Sequence, residues 1–333
     1  MKKIIYITGC LGFIGSYVTR ACLKKNWYVR GVDKCTYAAN EKLLEEFSSY
    51  ENFVFEKKDI NNIAFLHDCD FVIILAAETH VDNSIYNDMV VGGDQFIQTN
   101  IKGFHNLLNA IRKKSQNNKP TLLHFSTDEV YGDIVGGSYN ENSPLKPSNP
   151  YSATKAAADM LIFAWSRTYE VPYIIVRPTN NYGVGQYVEK LVARCCKNLS
   201  IGKKIPVHNQ GEPIRNWLNA KDTAEAIVTI IEKGETENIY NISGNYEDKN
   251  INVVKKIIYE FFKSAPHSGD AHWPDETGID YLDYIDFGCS RAGQDVRYAV
   301  DDSKLRNLGW SPKCDFDEEI KEIVNFYKNN FIW

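Results

Sequence analysis

The sequence predicts an α/β protein: a Rossmann-type, doubly wound parallel sheet with a smaller substrate-binding lobe. Three observations carry that expectation. The first half alternates short β-branched runs with amphipathic stretches, the pattern of parallel strands covered by helices. A glycine-rich turn, Gly9-Cys10-Leu11-Gly12-Phe13-Ile14-Gly15, follows the first apolar run. An acidic residue, Asp33, closes the second run about 20 residues on.

Taken in order, strands are expected at 3–7, 28–32, 53–55, 71–75, 122–126 and 173–176, with helices at about 13–25, 99–114 and 151–169. After residue 180 the pattern loosens, with loops around 184–187 and 264–278. We divide the chain into a first domain, residues 1–180 with a return segment at about 215–243, and a second lobe, 181–214 with 244–333. The lobe is expected to close over the carboxyl edge of the sheet.

Bulk properties narrow the function. At 333 residues the chain can bury a full core, and 44% hydrophobic with 24% charged residues is ordinary for a soluble domain. A net charge of -5 argues against a nucleic-acid partner. The apolar run at the N-terminus stops at Thr8-Gly9, too short for the core of a signal peptide. The run at 71–77 is too short to span a membrane. A cytosolic protein without a membrane partner is expected. Eight cysteines include no Cys-x-x-Cys and no histidine at ligand spacing, which predicts free thiols and no metal.

The turn at Gly9, Gly12 and Gly15 permits a tight bend, close backbone approach to a pyrophosphate and close helix–sheet packing. A carboxylate at Asp33 would accept ribose hydroxyls and repel a 2′-phosphate, favouring NAD over NADP. Asp59-Ile60, read as the end of the third strand, would meet the adenine. Leu75-Ala76-Ala77, at the end of the fourth, would let the cofactor approach the backbone.

Tyr151 and Lys155, four residues apart, share one helix face. A tyrosine that acts as a base at neutral pH needs its pKa lowered by about 3 units, roughly 4 kcal/mol. Lys155 and a positive nicotinamide ring are expected to supply that in a dry site. Thr127-Asp128-Glu129, at the end of the fifth strand, adds a hydroxyl and two carboxyls. Neighbours in an extended segment point apart, so the two acids can address different carbons, one as acid and one as base.

These motifs, together with Asp33-Lys34-Cys35-Thr36-Tyr37-Ala38 and Leu75 to Asp82, resemble the nucleoside-diphosphate-glucose 4,6-dehydratases, which are extended short-chain dehydrogenase/reductases. The resemblance runs nearly end to end, and Thr-Asp-Glu before Val-Tyr-Gly is its most specific element. It implies a reaction in three stages with NAD unchanged at the end. Tyr151, assisted by Lys155 and Thr127, would take the C4 hydroxyl proton as hydride leaves C4. Glu129 would remove the C5 proton, Asp128 would protonate the departing C6 hydroxyl, and hydride would return to C6. Phe13, Ile14, Lys34, Thr36, Thr99 and Asn181 are implied on the cofactor side. Thr79, Asn180, Lys190, Leu191, Pro206, His208, Arg215, Asn250 and Arg291 are implied on the substrate side, the two arginines suiting a diphosphate.

The chain departs from the family pattern at Cys10, Asn216, Ala292 and Gln294. His208 resembles the plant UDP-glucose enzymes rather than the bacterial dTDP-glucose enzymes, which leans the expectation toward UDP-glucose. The 99–114 and 151–169 helices resemble those of the family's dimer bundle, implying a homodimer. A nucleotide-sugar 4-epimerase or decarboxylase would share the NAD site and the Tyr–Lys pair but needs no elimination acid and base. A non-catalytic NAD-binding regulator would be expected to have lost at least one of the five catalytic candidates; all five are present.

Overall fold

Alternation along the first strand already separates two cores. In the computed structural model, which describes residues 2–85, 93–263 and 280–330, β1 (Ile4–Thr8) sends Ile5 and Ile7 to one face of the sheet and Tyr6 to the other. Further parallel strands flank it: β2 (Tyr28–Asp33), β3 (Phe53–Lys57), β4 (Phe71–Ile74), β5 (Thr121–Phe125) and β6 (Tyr173–Pro178). Later in the chain come β7 (Asn180–Tyr182), β8 (Ile205–Pro206), β9 (Ile214–Asn219), β10 (Asn238–Ile242), β11 (Tyr246–Lys249) and β12 (Ile285–Asp286).

The large sheet has the order β10-β6-β5-β4-β1-β2-β3, every pair parallel. The order reverses at β1, whose neighbours are β2 and β4. A crevice opens at the carboxyl ends of such strands. On one face, helices Phe13–Lys24 and Ala220–Lys233 pack Val18, Leu23, Ile227 and Ile230 against Ile5, Ile7 and Val29. On the other, Leu107, Ile111, Ala158 and Ile162 cover Val72, Ile74 and Tyr6.

The six expected strands are present, with shifted ends. β3 stops at Lys57, and Asp59 instead caps a short 3₁₀ turn, Ile60–Asn62, by accepting from the Asn61 N–H. β4 stops at Ile74 and β5 at Phe125, so Leu75 to Ala77 and Ser126 onward belong to loops. The seventh strand, β10, lies inside the return segment without having been read as a strand, since Asn238 and Asn241 interrupt its apolar pattern. The helix expected at 99–114 starts earlier, as α-helix Gly93–Phe96, widens into a π-helical stretch, Ile97–Gly103, and becomes α-helical again at Phe104–Arg112. Such widened turns are frequent at functional sites.

A third core lies over the sheet's carboxyl edge. Helices Leu191–Ser200, Asn250–Lys263 and Phe316–Asn329 bring together Val192, Cys196, Val253, Ile257, Ile320 and Ile323. Two small sheets, β11-β9-β7 and β12-β8, join this part to the first. Leu305 and Trp310, from the C-terminal part of the chain, pack into the core of the large sheet. The loop expected at 184–187 joins β7 to helix Leu191–Ser200; that expected at 264–278 lies outside the described residues. All eight cysteines are free thiols. Among the described residues no helix is long and apolar enough to cross a membrane.

Candidate active site

The crevice at the strand-order reversal is a cavity of about 370 Å³. All seventeen residues expected on the cofactor side line it, from Gly9 and Asp33 to Thr99 and Asn181, with Tyr151 and Lys155 among them.

Two glycines explain its floor. Gly9 has φ +75°, and a Cβ there would sit 2.7 Å from the Ala76 nitrogen, across to the loop after β4. A Cβ on Gly15 would lie 1.9 Å from the Gly9 carbonyl oxygen, so only hydrogen lets the helix start against the turn. That helix has Gly12 at its N-cap with no side-chain cap and no acidic residue in its first turn. Its open N–H groups at the cavity wall suit an anion. Cys10 is fully buried, its Sγ occupying the space a side chain at Gly31 would need.

Asp33 is buried and accepts from the Leu11 N–H (3.0 Å) and the Cys35 N–H (2.8 Å). It therefore shapes the glycine turn as well as lining the cavity. Burial raises its pKa, the two backbone donors opposing. Lys34 reaches Asp59 at 2.8 Å. Across the mouth, the Tyr37 hydroxyl donates to Glu189 (3.2 Å) and the Lys190 ammonium donates to the Thr79 carbonyl (2.8 Å).

All five catalytic candidates line the same cavity. Tyr151 and Lys155 project from helix Pro150–Tyr169, which starts with a capping box: the Asn149 side chain accepts from the Ser152 N–H, and the Ser152 hydroxyl accepts from the Asn149 N–H. Asp128 and Glu129 stand not in an extended segment, as expected, but in a 3₁₀ turn, Asp128–Tyr131. Thr127 caps that turn through the Glu129 N–H and donates to Asp128 Oδ1 at 3.2 Å. Successive residues of a 3₁₀ turn are about 120° apart, less than the opposition of a strand, but enough to start the two acids in different directions.

Their environments differ. Asp128 Oδ2 is buried with no hydrogen-bond partner among the described residues. Burial, then the neighbouring Glu129, raise the Asp128 carboxyl to about 8, so it is mostly protonated at neutral pH. Glu129 is also raised by burial, but Asn149, Arg215 and Lys190 favour its charged form. Asn149 Nδ2 donates to Glu129 Oε2 at 3.1 Å.

The expected lowering of Tyr151 does not come from the protein's own groups. Burial, followed by Glu129 and Asp128, pushes the phenol up, and only the Thr127 hydroxyl opposes. Lys155 is itself lowered by burial to about 8, with Asp159 opposing.

On the substrate side, Thr79, Thr127, Asn180, Lys190 and Leu191 line the cavity. Pro206, His208, Arg215, Asn250 and Arg291 are not in its wall; they lie on β8, β9 and the segments beside them. The Arg215 guanidinium donates to the Ile214 and Asp295 carbonyls at 2.8 and 3.1 Å. Arg291 pairs with Asp82 at 2.6 Å, and His208 Nε2 lies 3.8 Å from the same carboxylate. Both arginines are therefore engaged by protein groups rather than held open for a diphosphate. Asn180, His208 and Asn250 each keep a buried polar atom without a partner among the described residues, which fits recognition of a polar ligand.

Several positioning groups escaped the sequence reading. Asn100, buried in the π-helical stretch, accepts from the Glu78 N–H (2.8 Å) and donates to Thr154 (3.0 Å), pinning the loop after β4 to helix Pro150–Tyr169. Asp159, fully buried one turn beyond Lys155, receives Arg177 at 2.9 and 3.1 Å and the Ser126 hydroxyl at 3.1 Å. An acid four residues after Lys155 in an apolar helix was the available signal. Asn216, at a position where the family pattern differs, joins Thr179 to Gly244.

With this geometry in view, known proteins give a consistent picture. The chain is 40% identical to a dTDP-glucose 4,6-dehydratase of Neisseria meningitidis over 100% of this chain and 95% of that protein. It is 39% identical to the dTDP-glucose 4,6-dehydratase of Haemophilus influenzae over 98% of both. A dTDP-glucose 4,6-dehydratase of Streptomyces venezuelae, solved with NAD bound, superposes with a TM-score of 0.86 at 32% identity, over 98% of this chain and 97% of that one. The family model for GDP-mannose 4,6 dehydratase matches residues 6–323. From that match and these end-to-end relatives, the chain belongs to the GDP-mannose 4,6-dehydratase family.

Proposed function

We propose that this chain converts a nucleoside-diphosphate-glucose, UDP- or dTDP-glucose, to the 4-keto-6-deoxy sugar, using NAD that is unchanged at the end. The observation that carries this reading is the pair of dissimilar carboxyls, Asp128 and Glu129, in one cavity with Tyr151, Lys155 and the glycine turn. A 4-epimerase or decarboxylase has no use for that pair. The glycine floor and the open helix N-terminus fit a dinucleotide pyrophosphate, with Asp33 toward the ribose. NAD, when bound, supplies a reversible hydride acceptor and a positive ring.

Tyr151 takes the C4 hydroxyl proton, with Thr127 bonded to its phenol and Lys155 one turn away. Because the protein alone holds that phenol high, its activation falls to the charge of the bound ring together with Lys155. The 4-ketone acidifies the C5 proton, which Glu129 removes. Asp128, protonated at neutral pH, gives its proton from the unpartnered Oδ2 to the C6 hydroxyl as water leaves. Arg215, Arg291, Asn180 and Asn250 hold the nucleotide diphosphate. His208 addresses the base. The two arginines must exchange or share their present partners to do so.

The reading carries with it a NAD-binding part, residues 1–180 with 215–243, and a nucleotide-sugar lobe, 181–214 with 244–333. It also carries a cytosolic homodimer built on the 97–112 and 150–169 helices, which expose Ile97 and Met160. Light scattering tests the dimer; a monomer at micromolar concentration removes it.

The deciding experiment offers UDP-glucose and dTDP-glucose, each deuterated at C4, and follows products by NMR. A new methyl group that carries the C4 label is the expected result, and relative rates identify the base. A product that keeps its C6 hydroxyl, with C4 inverted, would show an epimerase instead.

A further inference from the structure

Glu129 is tied to a chain of hydroxyls and carboxyls that leads away from the cavity. Two donors converge on its Oε2: Asn149 Nδ2 at 3.1 Å and the Tyr298 hydroxyl at 3.5 Å. Among the described residues no donor reaches Oε1, which is left for the substrate. The Tyr298 contact is long, as catalytic contacts often are before a ligand closes the site. Tyr298 is buried, and its hydroxyl also bonds Asp295 Oδ2. That same oxygen accepts from the hydroxyl of Ser148, which is exposed. The Arg215 guanidinium lies 4.4 Å over the Tyr298 ring and donates to the Asp295 carbonyl.

A phenol has one proton. Placed between two carboxyls, Tyr298 donates to Asp295 or to Glu129, never to both at once. That is the local requirement for passing a proton, and a purely structural tie would not need two acids around one hydroxyl.

We propose that Tyr298 and Asp295 form a proton relay from Glu129 to the surface at Ser148, through which the proton taken from C5 exchanges with solvent. The proposal rests on the role of Glu129 given above. The step balances as follows. Glu129 carboxylate receives the C5 proton and becomes the neutral acid. A half-turn of the carboxyl, whose torsion is soft, brings that proton to the Tyr298 oxygen. As the Tyr298 oxygen receives it, Tyr298 gives its own proton to Asp295 Oδ2. Asp295, now neutral, releases a proton to water at Ser148. Glu129 is again a carboxylate, Tyr298 is again a neutral phenol, and one proton has left. Run backwards, the same chain delivers a solvent proton for return to C5. With cofactor and sugar filling the cavity, this path leads to water without crossing either.

The test is the C5 label relative to product formed. Unlabelled substrate is converted in deuterated water, and NMR reads deuterium at C5 against the new methyl group. Wild-type product should carry deuterium at C5. Tyr298→Phe keeps the ring under Arg215 and removes only the hydroxyl. It should still form product, with C5 deuterium per product lowered about tenfold, the lower end of what a placed proton-transfer group contributes. Asp295→Asn should lower the same ratio. A merely structural role would slow turnover and leave the ratio unchanged, and a wild-type ratio in Tyr298→Phe overturns the relay. Should neither variant fold, the relay stays open to refutation: full retention of the label by wild-type enzyme, given substrate deuterated at C5 in ordinary water, overturns it. Absence of any new methyl group from wild type would count against the dehydratase reading itself, a different result from methyl formation with unaltered exchange.

Discussion

Removing the proton on Asp128, by mutation or by pH, should stop the reaction after the first hydride transfer. Burial and Glu129 raise that carboxyl from 3.8 to about 8. A group with such a pKa is about nine-tenths protonated at neutral pH and about one-tenth one unit above its pKa. The acid form does the work, so elimination is supported below about 8 and is lost as pH rises through it, by about tenfold per unit beyond. Lys155, lowered by burial to about 8, loses its charge in the same window. The two failures are separable because they strike different stages. Loss of the Asp128 proton leaves C4 oxidation intact, so reduced nicotinamide accumulates; loss of the Lys155 charge suppresses oxidation, so it does not. Asp128→Asn keeps the side chain's size and an oxygen for Thr127 but has no ionisable proton. It should lower kcat by about 10²–10⁴-fold. Below about pH 8, where Lys155 keeps its charge, stopped-flow absorbance should show reduced nicotinamide building up with substrate. Turnover of Asp128→Asn near the wild-type rate, with no such build-up, would refute the assignment of the acid.

Other expectations concern neighbouring groups. Glu129→Gln should permit C4 oxidation and stall at elimination, seen as the same absorbance without a new methyl signal. Tyr151→Phe should suppress even the first hydride transfer, by about 10²–10⁴-fold; a wild-type rate of nicotinamide reduction would remove Tyr151 as the base. Gly15→Ala must push apart a Cβ and the Gly9 carbonyl that would otherwise stand 1.9 Å from each other. We expect it to destabilise by about 1–3 kcal/mol and to weaken NAD binding, read by thermal melting with and without NAD. Arg177→Met leaves the fully buried Asp159 charge without its guanidinium, which should cost about 3–5 kcal/mol and appear as a lowered melting temperature.

The glycine turn, the Tyr–Lys spacing and the Thr-Asp-Glu run were legible because each is a local pattern. A helix puts positions four apart on one face whatever surrounds it, and a strand–turn–helix without room for a Cβ demands glycine. The same locality explains the misplaced strand ends. A ladder stops where its partner stops, and that partner is distant in sequence: Asp33 of β2 pairs with Lys57, and Ile74 of β4 with His124. β10 was not read as a strand because its asparagines serve tertiary contacts; Asn241 accepts from the Tyr131 hydroxyl, 110 positions away.

The sequence by itself therefore determined the fold class, the glycine-rich crevice and five polar groups that the fold gathers into one cavity. Tertiary structure decided how those groups behave. Asp128 becomes an acid that holds its proton at neutral pH because the folded chain excludes water from it and sets Glu129 beside it. Glu129 meets Asn149 and Tyr298, 20 and 169 positions away, because the cap of helix Pro150–Tyr169 and the C-terminal segment converge on one carboxyl. Desolvation and long-range hydrogen bonds are properties of what packs over a residue, and no local pattern of residue types encodes them.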